Sequence, residues 1–207
     1  MWTLPGLPVR AVPHWSGRRA PGRGEAAAVP IDRRGVDDDD QRTLLAVRVG
    51  GEIIGEMAAV DGEPRSATVV TCGDVSARRI ELGELGRISK LHPDIDAEIK
   101  RTFSSRLRWA NRQRIDLGAY DSRTRIGRII VWLAEMHGVT TSEGVDLGLP
   151  LRQGELASMA GVALPTAEKA LTNLDQQGLI ARGYRRLVVR DLEGLRRVSQ
   201  MTDHTPY

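Results

Sequence analysis

The pattern of hydrophobic and polar positions divides the chain into four regions. Residues 41–81 contain short β-branched runs with Gly and Asp between them, which predicts strands at 43–49, 66–72 and 75–82. Residues 1–40 show neither a helical nor a strand period and are punctuated by Pro, Gly and Arg. We therefore expect that first segment to be mostly disordered or atypical.

Helices are predicted next, because apolar residues recur at three- to four-residue spacing. A short helix covers roughly 82–90, and a long one opens at Pro93 and covers about 92–118. One apolar stripe on a helix of this length is typical of a dimeric coiled coil, and a monomeric core helix is the alternative. The stripe holds Ile95, Ile99, Phe103, Leu107, Ala110 and Leu117, and the opposite face holds Lys100, Arg101, Arg106, Arg108, Arg112 and Arg114. A second helix follows the interruption at 118–121.

Residues 145–199 have the pattern of a compact helix-turn-helix with a wing. Two short helices are predicted at 153–160 and 164–177, with Gly161 at the turn between them. Two glycine-bounded β-branched runs within 178–189 then predict a two-stranded wing. A plain αα-hairpin is the alternative, and the wing favours a DNA-binding unit.

Composition limits the class of protein. The 207 residues carry a formal net charge of +3, a mild excess that suits nucleic acid without requiring it. A single cysteine excludes an intrachain disulfide, and the four histidines lack metal-ligand spacing, so no metal site is predicted. No signal peptide or membrane helix is predicted, so we expect a cytoplasmic protein without a membrane partner. No nucleophile signature or Walker loop occurs, so an enzyme is not expected.

The strongest chemical signal is the segment 55–67, called the cassette from here on. It reads Gly-Glu-Met-Ala-Ala-Val-Asp-Gly-Glu-Pro-Arg-Ser-Ala. Glu56 can accept hydrogen bonds from ribose hydroxyls, and Arg65 can form a fork on a phosphate that Ser66 and backbone N–H groups complete. With a small-residue turn between the two groups, the spacing favours a sugar-phosphate site. A surface hairpin with an incidental arginine is the alternative.

The cassette resembles the phosphate-binding cassette of cyclic-nucleotide-binding domains, whose pattern is roughly Gly-Glu-Leu-Ala followed by Pro-Arg-Ala/Ser-Ala-Thr-Val. Together with the long helix and the winged unit, it resembles the bacterial Crp/Fnr family of transcription regulators over about residues 41–199. The resemblance implies an α+β fold with a partial β-roll cyclic-nucleotide-binding-like domain, a long dimerisation helix and a C-terminal winged helix-turn-helix. It divides the chain at 1–40, 41–120 and 121–199, with a tail at 200–207.

The resemblance also implies two sets of site residues and their partners. The ligand set is Gly55, Glu56, Met57, Arg65, Ser66, Ala67 and Asn111, and the ligand is cAMP or another cyclic nucleotide. The DNA-binding set is Arg152, Gln153, Leu164, Thr166, Lys169, Asn173, Arg182 and Arg185, and Asp121 is the hinge between the domains. The implied partners are double-stranded DNA, a second copy of the chain along the long helix, and RNA polymerase.

Three features depart from the family pattern. No residues ahead of Thr43 are expected to supply the family's leading strands, so about half of the β-roll is expected to be missing. The base-side positions are Ala110 and Asn111 instead of two hydroxyl residues. The recognition helix opens with Leu164-Pro165 where the family commonly has Arg-Glu, so a weaker or different base preference is expected. Two alternatives stay open, namely a ligand-independent regulator with a vestigial sensor and a truncated dimerisation partner that modulates a full-length relative.

Overall fold

The computed structural model describes residues 27–31, 43–48, 52–64, 66–67, 69–71 and 80–201. Within these ranges the elements are β1 (Ala27–Ile31), β2 (Thr43–Arg48), α1 (Glu56–Asp61), β3 (Val70–Thr71), α2 (Leu82–Leu91), α3 (Pro93–Ala119), α4 (Ser122–His137), β4 (Val139–Thr141), β5 (Gly144–Asp146), α5 (Gln153–Met159), α6 (Leu164–Gln176), β6 (Ile180–Gly183), β7 (Arg186–Val189) and α7 (Leu192–Val198). Among these helices, none combines the length and the apolar character that a membrane span requires.

A three-stranded antiparallel sheet, in the order β2-β1-β3, forms the N-terminal layer. Its central strand β1 shows that the expectation of no strand ahead of Thr43 is wrong. The register of β1 against β2 shifts between Val29 and Pro30. A bulge is a place where a sheet tolerates proline, which has no N–H to donate. The same proline hid the strand from sequence reasoning, because a proline inside a short apolar run argues against a strand.

A short helix, α1, replaces the turn predicted inside the cassette. Gly55 precedes it with φ 82°, and Gly62 follows it with φ 74°. These left-handed conformations suit glycine, and the residues between the two glycines include the helix formers Glu, Met and Ala. Within the segment 66–72, predicted as a strand, the described residues show β3 at 70–71 and a bend at 66–67. Most of the strand predicted at 75–82 lies outside the described residues, as do most of residues 1–40 and of the tail.

The two long helices meet at a capped junction. Helix α3 begins with Pro93 in its first turn, where a missing N–H costs nothing, and it covers the predicted long helix. Asp121 is the N-cap of α4, and its Oδ1 accepts a hydrogen bond from the Thr124 N–H at 2.8 Å. The hydrogen bonds from Thr124 hold the pKa of Asp121 below its ordinary value. Helix α4 is buried around most of its circumference, because α5, α6 and α7 pack on it.

The C-terminal unit combines the predicted helix-turn-helix, α5 and α6, with a four-stranded sheet in the order β4-β5-β7-β6. The wing strands β6 and β7 pair antiparallel, while the hairpin β4–β5 and helix α7 were not predicted. Each hairpin strand is three residues long, too short to show an alternating pattern. Gly161, with φ 61°, makes the turn between α5 and α6.

One hydrophobic core runs through the described residues and joins both layers. Leu44 and Val47 of β2 belong to the same buried cluster as Trp132 of α4 and Leu156 of α5. The Leu44 N–H donates to Ser158 Oγ at 2.9 Å, which adds a polar contact between β2 and α5. The N-terminal sheet is therefore packed directly on the helix-turn-helix.

Candidate functional site

A cleft of about 1170 Å³ lies between the cassette, α3 and the turn of the helix-turn-helix. It is larger than most small-molecule sites and has room for a nucleotide. Five residues of the predicted ligand set line it, namely Gly55, Glu56, Met57, Ser66 and Ala67. Arg65 lies outside the described residues, so its contact with phosphate stays a prediction.

Glu56, the residue predicted to hold a ribose, is only 7% exposed and is paired with Arg106 of α3. Arg106 Nη2 also donates to the Ile53 carbonyl at 2.7 Å and to a Glu52 carboxylate oxygen at 3.2 Å. A buried carboxylate is costly without a partner, and Arg106 is that partner for Glu56. The expectation that Arg106 lies on the face opposite the apolar stripe is wrong, because its guanidinium contacts Glu52, Ile53 and Glu56 at the start of the cassette.

The sequence carried a weak signal for Arg106. Position 106 lies three residues after Phe103 and four before Ala110, so it falls on the apolar stripe. Because Arg106 also belongs to a series of basic residues along α3, its place on the apolar stripe was easy to overlook. Helical phase, applied residue by residue, would have placed this guanidinium toward the core side of α3.

Burial and neighbouring charges determine the electrostatics beside the cassette. Arg48 Nε of β2 lies 3.6 Å from a Glu52 carboxylate oxygen, so Glu52 contacts both Arg48 and Arg106. Burial lowers the pKa of Arg48 from its ordinary value, and the positive charge of Arg106 lowers it further. Burial also lowers the pKa of His137 at the end of α4, which favours the neutral imidazole.

Of the two predicted base-side residues on α3, one borders the cleft. Ala110 lines the cleft, whereas Asn111 is exposed and is not among the lining residues. Gln113 and Arg114, one turn further along, bring polar side chains to the cleft instead. The structure therefore does not bring Asn111 together with the cassette of its own chain.

Helix α6 presents an exposed face that contains most of the predicted base-reading residues. Leu164, Thr166 and Lys169 are exposed, and the opposite face is buried against α4 and α5. Asn173 is half-buried, and its Oδ1 accepts a hydrogen bond from Gln177 Nε2 at 2.6 Å. The first turn of α6 also borders the cleft, because Leu164 is one of the lining residues.

The predicted phosphate-contacting residues lie at the start of α5 and on the wing. Arg152 and Gln153 are exposed, and the Arg152 backbone N–H donates to Glu155 Oε2 at 2.6 Å. Arg182 is paired with Asp175, through Nε to Oδ2 at 3.1 Å. Arg185 is exposed at the tip of the wing, where its φ of 53° is unusual for a residue with a side chain. Arg152, Gln153, Arg182 and Arg185 all border one small groove between the start of α5 and the wing.

Arg125 makes structural contacts that the sequence did not predict. Its Nε donates to the Ala160 carbonyl at 2.9 Å, its Nη1 to the Tyr120 carbonyl at 3.0 Å, and its Nη2 to the Gly161 carbonyl at 3.2 Å. One guanidinium thereby ties the junction of α3 and α4 to the turn of the helix-turn-helix. Two of these three carbonyl groups lie far from Arg125 in sequence, so the spacing of residues along the chain could not predict the contacts.

Comparisons with known proteins find matches in both parts of the chain. A model of the cyclic nucleotide-binding domain matches residues 31–92, and a model of the Crp-like helix-turn-helix domain matches residues 124–198. The chain is 27% identical over 169 residues to a CRP-like cAMP-activated global transcriptional regulator of Mycobacterium tuberculosis, covering 82% of this chain and 75% of that protein. It is 24% identical over 151 residues to a cyclic AMP receptor protein of Thermus thermophilus, covering 73% of this chain and 67% of that protein.

Solved structures show the same fold. A CRP/FNR-family transcriptional regulator of Thermus thermophilus matches with a TM-score of 0.68 at 21% identity, covering 86% of this chain and 84% of that chain. A c-di-GMP responsive global regulator of Xanthomonas campestris matches with a TM-score of 0.64 at 22% identity, covering 80% of this chain and 81% of that chain. The predicted α+β fold class is confirmed.

Proposed function

Since this chain belongs to the Crp/Fnr family of DNA-binding transcription regulators, we propose that a cyclic nucleotide bound in the cleft controls its affinity for DNA. One observation carries the proposal: a single cleft is lined by Glu56 of the cassette, Gln113 of α3 and Leu164 of the recognition helix α6. A ligand in this cleft contacts the sensor and the DNA reader at the same time. The protein then acts by binding rather than by catalysis.

The described residues suit the parts of such a ligand. A carboxylate has two oxygens and about four lone-pair sites, so Glu56 can accept ribose hydroxyls while it stays paired with Arg106. Ser66, at the other end of the cassette, is exposed and available to a phosphate beside Arg65. Gln113 offers an amide, with both donor and acceptor groups, to the edge of a base. The relative described as cAMP-activated makes cAMP the first ligand to test.

We propose that two copies of the chain pair along α3. Leu107 and Ile115 are 62% and 58% exposed, and Asn111 lies midway between them at four-residue spacing. Exposed apolar groups in a row on a long helix are typical of a coiled-coil seam, and one polar residue within such a seam fixes its register. Sedimentation of Leu107→Asp should show monomers, while Arg101→Ala, whose exposed guanidinium pairs with Glu98, should sediment as wild type.

In this proposal, few side chains of α6 contact the edges of the DNA bases. Leu164 and Pro165 cannot hydrogen-bond to base edges through their side chains, so Thr166 and Lys169 carry direct readout. The arginines at the start of α5 and on the wing contact phosphates, which position the protein without specifying sequence. We therefore expect a steep salt dependence and a base preference that differs from the usual family half-site. A contact with RNA polymerase and a cytoplasmic location stay predictions.

Calorimetry and DNA anisotropy test the proposal together. Wild-type protein is titrated with cAMP, cGMP and c-di-GMP, and its affinity for DNA selected from a random pool is measured with and without each nucleotide. Glu56→Gln and Arg65→Ala should abolish nucleotide binding, and the matched control Arg101→Ala should retain it. DNA binding with no nucleotide response would favour the ligand-independent regulator instead. A homodimer that binds no DNA would favour the truncated dimerisation partner.

A further inference from the structure

Two tryptophans stack across the junction between α3 and α4. The ring centroids of Trp109 and Trp132 lie 3.8 Å apart, and the ring planes differ by 16°. Trp109 is half-buried and lines the cleft, whereas Trp132 is 5% exposed and belongs to the core on which α4 packs. The stack is therefore a direct contact between a wall of the cleft and the interior of the DNA reader.

The second ring of this stack has little freedom to move away. Trp132 contacts the His137 ring edge-on, with centroids 5.6 Å apart and planes at 89°. Side chains in a packed core shift together rather than one at a time, because the interior has almost no free volume. A rotation or translation of α3 at position 109 must therefore either move Trp132 or separate the two rings.

The ligand side of the stack is connected to the cassette through one turn of α3. Arg106, which holds Glu56, lies three residues before Trp109 on the same helix. A nucleotide that hydrogen-bonds to Glu56 beside Arg106, or that occupies the space beside Trp109, acts on this one turn. The contacts thus run without a gap from Glu56 to Arg106, along the helix to Trp109, and across the stack to Trp132.

We propose that the Trp109–Trp132 stack holds the nucleotide-free arrangement of the reader, and that nucleotide in the cleft weakens the stack and releases the reader. The proposal rests on the proposed function, since it assumes that the cleft takes a nucleotide. In this structure the first turn of α6 borders the cleft, so with the stack in place part of the recognition helix lies against the sensor. Trp109 is a positioning residue in this account, and Trp132 receives its movement.

DNA anisotropy without nucleotide gives the first test. Trp109→Leu keeps apolar volume but removes the aromatic contact, so nucleotide-free DNA affinity should rise about two- to tenfold, the range that the energy of an aromatic stack corresponds to. Trp109→Phe keeps an aromatic face and should remain near wild type. Phe103→Leu, the same kind of change earlier on α3, is the matched control and should leave affinity unchanged. Unchanged nucleotide-free affinity in a folded Trp109→Leu would overturn the proposal.

A second measurement separates this proposal from the function it rests on. Calorimetry first establishes that wild type binds nucleotide, and its failure would remove the proposed function while the nucleotide-free test above still stands. The ratio of DNA affinities with and without saturating nucleotide should then fall about two- to tenfold in Trp109→Leu and in Trp132→Leu. The double variant should lose no more than either single one. Additive losses, or a wild-type ratio in both folded single variants, would contradict transmission through the stack.

Discussion

Breaking the buried ion pair between Arg128 and Asp116 should remove a large part of the stability of this fold. Arg128 Nε lies 2.7 Å from Asp116 Oδ2, and the two side chains are 2% and 4% exposed. Arg128 Nη1 also donates to the carbonyls of Ser199 and Gln200 at 3.3 Å and 3.2 Å, and the guanidinium lies 4.5 Å from the centroid of the Tyr120 ring. One side chain therefore joins the end of α3 to α4 and to the residues after α7.

Removing either partner leaves the other charge buried, a change that costs about 3–5 kcal/mol. Asp116→Ala leaves Arg128 with two carbonyl acceptors, so a loss of about 3 kcal/mol is expected. Arg128→Met leaves Asp116 without its guanidinium, and Asp116 Oδ1 already has no hydrogen-bond partner among the described residues, so a loss of about 5 kcal/mol is expected. The double variant removes both charges and should lose clearly less than the sum of the two single losses.

Urea unfolding followed by circular dichroism measures these losses, at one protein concentration because pairing of copies changes apparent stability. With a slope of about 1–3 kcal/mol per molar urea, a loss of about 3 kcal/mol moves the midpoint by roughly 1–3 M. The control Arg101→Ala breaks an exposed pair and should change stability by less than about 0.5 kcal/mol. Single-variant losses below about 1 kcal/mol, or strictly additive losses in the double variant, would refute the reasoning.

Three further changes test the packing and titration of the reader. In Gly127→Ala the new Cβ would lie 2.1 Å from Ser199 Oγ, so the melting temperature should fall. Adding Ser199→Ala should restore most of the lost melting temperature, and no rescue would argue against this contact. Asp121→Ala removes the cap of α4 and should lower the free energy of unfolding by about 1 kcal/mol at pH 7. This loss should disappear as the pH falls through the lowered pKa of Asp121, and an equal loss at about pH 2 would contradict the capping role. His137 has its pKa lowered by burial, so the unfolded chain takes up a proton first as pH falls below about 6.5 and stability declines. His137→Leu should make the urea midpoint less dependent on pH between about 7 and 5, and an unchanged dependence would count against burial of this ring.

Sequence alone predicted the elements whose pattern persists over several turns. Helix α3, helix α4 and the helix-turn-helix were found because the spacing of their apolar residues repeats, and the wing was found from its glycines. The short elements β1, α1 and the hairpin β4–β5 were missed. They depend on a bulge that accommodates a proline in β1, on left-handed glycines at both ends of α1, and on pairing with strands distant in sequence. None of these conditions produces a local period.

The candidate site also has a part that the sequence predicts and a part that it does not. The cassette could be predicted because its chemistry is contiguous, and Glu56 and Ser66 do line the cleft. The partners of Arg106 and Trp109 could not be predicted, because they come from elements that meet only in the folded chain. Asn111 lies off the cleft of its own chain while Ala110 borders it, because neighbouring positions on a helix face different directions.

DNA binding measured with and without nucleotide tests the central claim most directly. Fluorescence anisotropy on a duplex selected from a random pool should show sequence-dependent binding, and saturating cAMP or another cyclic nucleotide should change the affinity at least about fivefold. Lys169→Ala should reduce the preference for the selected duplex over a scrambled one, because Lys169 lies on the exposed face of the recognition helix. Equal affinity for selected and scrambled duplexes, in the presence and absence of every nucleotide tested, would contradict the account.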